Sequence, residues 1–126
     1  MELAGKTLGI IGFGRIGRAV GKIANAFGMK VIAYNRSQCE EGIAIGSYVN
    51  LEELLATSDI ISLHCPLTEQ TRHLVNEESI GKMKSHAILV NTSRGGLCES
   101  QALFNALKEK ISENFICQVV PPKSNN

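Results

Sequence analysis

Two hydrophobic periods alternate along this chain. Nearly continuous apolar runs of strand length occupy Thr7–Ile11, Lys30–Tyr34, residues 59–64 and residues 87–91. Between them lie segments in which apolar residues recur every three or four positions. Runs of the first kind read as buried strands, and segments of the second kind as helices. The first helix is predicted over residues 15–27, where Ile16, Ala19, Val20, Ile23, Ala24 and Phe27 fall on one face. Gly28 stands where a left-handed residue commonly ends a helix. Residues 37–46 are expected to form a loop or a short irregular helix, and Tyr48-Val49 a short third strand. Residues 51–56 follow as a short helix, with Asn50 as its N-cap. Helical spacing returns around residues 77–83 and over residues 100–110, where Ala102, Leu103, Ala106 and Leu107 are expected to face inward. Residues 115–120 are a candidate sixth strand, and the polar residues 121–126 are expected to be a disordered tail.

Strands that alternate with helices imply a parallel sheet covered on both faces. The expected fold is therefore α/β, a Rossmann-type three-layer sandwich of five to six strands, with residues 1–120 forming one domain. The stretch Gly12-Phe13-Gly14-Arg15-Ile16-Gly17 sits between the first strand and the first helix. That context turns a common glycine pattern into a dinucleotide-binding signature. Gly12 permits the tight turn, Gly14 lets a pyrophosphate approach the backbone, and Gly17 lets the helix pack close to the sheet. The helix N-terminus offers unpaired N–H groups and about half a positive charge to the phosphates. A bare strand–helix turn is the alternative reading of the same glycines. Where strand two ends, an acidic residue would bond the ribose 2′-hydroxyl, whereas an arginine accommodates a 2′-phosphate. Here Asn35 occupies that position and Arg36 follows. Asn35 does not repel phosphate, and the Arg36 guanidinium can pair with it. NADP, or use of both NADP and NAD, is the expectation.

Composition narrows the partners. The chain has 126 residues with 44% hydrophobic and 20% charged positions, enough for one cored domain. A net charge of +1 argues for neither nucleic acid nor membrane. Up to Arg36, however, Lys6, Arg15, Arg18, Lys22, Lys30 and Arg36 face only Glu2, a bias compatible with a polyanionic cofactor. No apolar run has membrane-span length, and the first residues lack a signal-peptide pattern. Cys39, Cys65, Cys98 and Cys117 show no metal-binding spacing and read as reduced thiols of a cytoplasmic protein. His64 ends an apolar strand and reads as a hydrogen-bonded structural residue rather than a proton donor.

Two further segments carry a family resemblance. One is Ser58-Asp59-Ile60-Ile61-Ser62-Leu63-His64-Cys65-Pro66-Leu67-Thr68-Glu69-Gln70-Thr71. The other is Met83-Lys84-Ser85-His86-Ala87-Ile88-Leu89-Val90-Asn91-Thr92-Ser93-Arg94-Gly95-Gly96-Leu97. Together with the glycine motif, and in this order, they resemble the coenzyme domain of the D-isomer-specific 2-hydroxyacid dehydrogenases. Phosphoglycerate dehydrogenase and glyoxylate/hydroxypyruvate reductase belong to that family. The resemblance runs from about Leu3 to Ile111. It implies that Arg15 and Ile16 lie over the pyrophosphate, Asn35 at the ribose, and Cys65, Pro66 and Thr71 on the adenosine side. It further implies that Thr92 and Ser93 approach the nicotinamide. Arg94 matches the family's substrate arginine. A guanidinium there can clamp the carboxylate of a 2-oxo or 2-hydroxy acid and polarise its carbonyl for hydride transfer.

The resemblance fades after residue 111. The family's strand with Leu-Asp-Val, its catalytic glutamate and its Pro-His motif find no match in Ser112-Glu113-Asn114-Phe115-Ile116-Cys117-Gln118-Val119-Val120-Pro121-Pro122. His64 does not match the catalytic histidine. The expectation is a coenzyme domain cut short and incomplete for catalysis alone. General acid–base help typically contributes ~10²–10⁴-fold. Two other readings stay open: a non-catalytic nucleotide-binding or dimerisation module, and a truncation that does not fold stably. The resemblance also implies a homodimer, or pairing with a full-length relative.

Overall fold

The computed structural model describes residues 3–65, 69, 71, 74, 76–85 and 87–91. The expected helix over 100–110, the candidate strand over 115–120 and the tail over 121–126 lie outside them. Five strands and four helices alternate in the described part: β1 (Thr7–Ile11), α1 (Arg15–Ala26), β2 (Lys30–Tyr34), α2 (Glu40–Ile45), β3 (Ser47–Tyr48), α3 (Leu51–Thr57), β4 (Ile60–Leu63), α4 (Glu77–Gly81) and β5 (Ile88–Asn91). All pairings are parallel, in the order β3-β2-β1-β4-β5. The strands therefore end at one common edge, and the order reverses direction beside β1. Ligands of open α/β sheets bind at such a switch point, outside the carboxyl ends of the strands.

Both faces of the sheet are covered, which is why its strands read as unbroken apolar runs. On one face Leu8, Ile10, Val31 and Ala33 pack with Phe13, Ala24 and Ile45 from the side of α1 and α2. On the other, Ile11, Ile32, Ile61, Leu63 and Leu89 pack with Leu54, Leu55, Ile80 and Met83 from the side of α3 and α4. The three layers are those expected from the alternation.

Helix boundaries follow local chemistry. Gly28, with φ of +83°, ends α1 in the left-handed conformation. The Asn50 side chain accepts the Glu53 N–H at 2.8 Å and starts α3. Residues 37–46, read as loop or irregular helix, contain the six-residue α2, whose first turn carries Glu40 and Glu41 at the favourable end of its dipole. The helix expected over 77–83 stops at Gly81, because Lys82 and Met83 bond three residues back, to Ser79 and Ile80, in a tighter turn. Ala87 closes the next turn on Lys84, so β5 begins one residue later than expected. Asp59 and His64, which flank β4, still donate their main-chain N–H groups to the Thr7 and Ile11 carbonyls.

Most of the apolar stripe of α1 lies outside the face that the helix buries. Gly17, Gly21 and Ala24 meet the sheet, whereas Ile16 (67%), Ile23 (60%) and Phe27 (59%) are exposed. At 3.6 residues per turn the exposed stripe lies roughly 100° around the helix from the buried line. A Cβ at Gly17 would strike the Gly12 carbonyl oxygen, and one at Gly21 would stand 2.8 Å from Ile45. The helix thus buries its smallest residues to come close to the sheet. Among the described residues, no helix is long and apolar enough to cross a membrane.

Candidate dinucleotide-binding site

The carboxyl edge of the sheet gathers three chain segments. Past β1 the chain turns sharply at Gly12, whose φ of +96° suits only glycine. A Cβ there would also lie 2.6 Å from the His64 carbonyl carbon, so the end of β4 is packed directly on the turn. Gly14 is exposed, and a Cβ placed on it would find nothing within 4 Å among the described residues. Gly14 is also the N-cap of α1. Among the described residues no side chain caps this helix, and no acidic residue occupies its first turn. An α-helix leaves its first N–H groups without intrahelical partners. Here those groups and the positive end of the dipole open onto space that glycine keeps clear. That arrangement fits a pyrophosphate.

The segment after β2 closes one side. The Gly12 N–H donates to the Tyr34 carbonyl at 2.9 Å. One residue on, the Asn35 side chain takes over: its Oδ1 accepts the Phe13 N–H at 2.9 Å, and its Nδ2 donates to the Ser37 carbonyl at 2.9 Å. Asn35 is half-buried and Arg36 is exposed beside it. Arg15 and Ile16 are exposed on the first turn of α1.

The remaining candidates divide. Cys65 is buried, with its thiol in the layer beneath α3 and α4 and its backbone against Gly12. Burial pushes that thiol above the usual cysteine range, so its contribution to the edge is steric. Thr71 is half-buried, its carbonyl accepting the Leu74 N–H at 3.0 Å. Pro66, Thr92, Ser93 and Arg94 lie outside the described residues. His64 Nε2 and Ser62 Oγ are 2.7 Å apart. Desolvation holds the His64 pKa below the usual histidine value, which favours the neutral ring of a structural residue.

Spacing alone missed two residues. Phe13, a spacer in the glycine pattern, is 1% exposed and meets Tyr48 edge-to-face with ring centroids 5.7 Å apart. It anchors the turn into the core between α1 and α2. Arg18 donates to the Phe13 carbonyl at 3.1 Å and approaches Cys39 and Glu41, fastening α2 to the turn. An aromatic inside a glycine turn and a basic residue one helical turn past Gly14 were the available signals.

Known proteins share this fold. Residues 1–125 match the family model described as D-isomer specific 2-hydroxyacid dehydrogenase, NAD binding domain. The chain is 56% identical over 106 residues to 2-hydroxyacid dehydrogenase A of Aspergillus oryzae, covering 84% of this chain and 30% of that protein. It is 56% identical over 103 residues to hydroxypyruvate reductase of Thermotoga maritima, covering 82% of this chain and 33% of that protein. Among solved structures, the apo-structure of D-lactate dehydrogenase from Escherichia coli superposes with a TM-score of 0.90 at 40% identity, over 95% of this chain and 39% of that one. The chain thus spans about a third of the length of the curated relatives it matches. On its sequence, its sheet order and its glycine turn, the chain belongs to the D-isomer specific 2-hydroxyacid dehydrogenase family and corresponds to the family's NAD binding domain.

Proposed function

We propose that this chain binds a nicotinamide dinucleotide across the glycine turn, with NADP preferred over NAD, as the coenzyme part of a D-2-hydroxyacid dehydrogenase. The observation that carries this reading is the uncapped N-terminus of α1 facing the open space at Gly14. Gly12, Gly14, Gly17, Arg15 and Ile16 would border the pyrophosphate, Asn35 and Arg36 the ribose, and Cys65, Pro66 and Thr71 the adenosine. The preference for NADP rests on a neutral Asn35 and an exposed Arg36 at the end of β2.

When bound, the nicotinamide supplies a hydride carrier at C4 for exchange with C2 of a 2-hydroxy or 2-oxo acid. Thr92 and Ser93 would lie near that ring, and Arg94 would hold the substrate carboxylate and polarise the carbonyl. Turnover then needs the glutamate and histidine of the family from outside this sequence. We place residues 1–120 in the dinucleotide domain, with 121–126 as a tail. The free thiols Cys39 and Cys65 support a reducing, cytoplasmic setting.

The test is a titration of NADPH and NADH followed by nicotinamide fluorescence, since the sequence offers no tryptophan to report binding. Arg36→Ala is expected to weaken NADPH about tenfold, the loss of one charge-assisted pair, and to leave NADH within about twofold. Equal weakening of both dinucleotides contradicts the preference for NADP.

A second reading concerns partners and is favoured by the exposed Ile23 and Phe27 on α1, beyond its first turn. This face would pair with a second copy of the chain, or with a full-length relative. The two readings are compatible, since these residues lie on the side of α1 and the phosphate site at its end.

A further inference from the structure

Asn35 is the residue at which the ladder between β1 and β2 passes from main chain to side chain. The last main-chain bond runs from the Gly12 N–H to the Tyr34 carbonyl, and the Asn35 Oδ1 accepts the next N–H, that of Phe13. The other end of the amide donates to Ser37, two residues on. The amide's orientation follows from its neighbours, because an N–H must face Oδ1 and a carbonyl must face Nδ2. Arg36 stands between these two fixed points, its own side chain exposed. Further along, the Cys39 N–H donates to the Tyr48 hydroxyl at 3.3 Å. The segment that carries Arg36 is therefore held at both ends.

We infer that Asn35 is a positioning residue for cofactor selectivity: its amide fastens the glycine turn to the segment after β2 and so fixes where Arg36 meets the 2′ position of the ribose. The inference rests on the preference for NADP proposed above. It assigns Asn35 a role beyond a contact with the ribose, and one that carboxylate chemistry cannot fill. An aspartate could still accept the Phe13 N–H, but it would set an oxygen against the Ser37 carbonyl and lose that bond. A neutral amide serves both sides and leaves a 2′-phosphate unopposed.

The experiment measures NADPH and NADH affinities for the unaltered chain, Asn35→Ala, Arg36→Ala and the double variant, each checked for a cooperative melt. Asn35→Ala is expected to weaken NADPH about tenfold and NADH about threefold, as two hydrogen bonds are lost and Arg36 is displaced. In the Arg36→Ala background, Asn35→Ala should leave the NADPH/NADH ratio unchanged, the non-additivity of residues acting as a unit. If Arg36→Ala is selective for NADPH but Asn35→Ala weakens both dinucleotides equally, the positioning role fails alone. If Arg36→Ala weakens both equally, the NADP reading fails and selectivity through Asn35 fails with it. Amide exchange in the ligand-free chain tests the bridge separately. The Phe13 N–H should exchange about tenfold faster in Asn35→Ala and stay protected in Asn35→Asp, which keeps the acceptor. Unchanged Phe13 exchange in Asn35→Ala overturns the bridge itself.

Discussion

Asp59, just before β4, shows how one residue can tie neighbouring strands together through both its main chain and its side chain, at the edge of the sheet remote from the glycine turn. Its Oδ2 accepts the N–H of Thr7, the first residue of β1, at 2.9 Å. Its carbonyl accepts the N–H of Ile88, the first residue of β5, at 3.0 Å. Its Oδ1 pairs with Lys84 Nζ at 3.0 Å, with 13% of the Asp59 side chain exposed. Burial works against the charge, but the Thr7 N–H and the Lys84 and Lys6 ammonium groups outweigh it and hold the carboxyl below the usual aspartate value. A depressed folded-state pKa stabilises the fold above the unfolded value of about 3.9, and the contribution is lost as pH falls through the folded-state pKa. Asp59→Asn is therefore expected to cost about 1 kcal/mol at neutral pH, as the charge-assisted bond to Lys84 is lost beside solvent. In urea unfolding the gap between variant and parent should narrow on acidification below about pH 4. A gap that stays constant to the acid limit would show that the Asp59 charge does not stabilise the fold.

Helix α1 separates what periodicity shows from what packing decides. Its extent was readable: the glycine turn starts it and Gly28 ends it. Its buried face was not, because glycine registers as neither apolar nor polar in a periodic count. Gly17 and Gly21 let the backbone approach Ile10, Phe13 and Ile45, and the larger apolar residues are left on the flank. Helix α2 was ambiguous because six residues hold less than two full turns. The strands were legible because burial on both faces removes any polar alternation. At the site, the three glycines were legible from spacing. The Phe13–Asn35 bond spans 22 residues and depends on the register of β1 against β2, which no local pattern encodes. The exposed stripe gives a prediction at this scale. Ile23→Glu should change unfolding stability by no more than about 0.5 kcal/mol, because the side chain stands in solvent. In sedimentation equilibrium it should shift the chain toward monomer if α1 carries self-association. An unchanged mass distribution would turn attention to another face.

Across the whole molecule, the parallel order β3-β2-β1-β4-β5 does the functional assembly. It brings the turn after β1, Asn35 and Arg36 after β2, and His64-Cys65 after β4 to one edge, although they are far apart in the chain. The core beneath this edge can therefore be sound whether or not a dinucleotide binds there, and stability and binding can be separated by one substitution. Gly14 has an extended backbone with φ of −85°, which any residue adopts, and free space where a side chain would go. Gly14→Asp would supply the side-chain cap that α1 lacks and a negative charge at the positive end of its dipole, stabilising the helix by a few tenths to about 1 kcal/mol. The same carboxylate would occupy the place proposed for the pyrophosphate, where like charges cost several kcal/mol. The decisive measurement is a paired melt and NADPH/NADH titration of the parent chain and Gly14→Asp. Saturable binding by the parent is expected, with an equal or higher melting temperature for the variant and at least about a hundredfold loss of both dinucleotides. A variant that melts like the parent and binds both dinucleotides as tightly would contradict the assignment of this turn as the phosphate site.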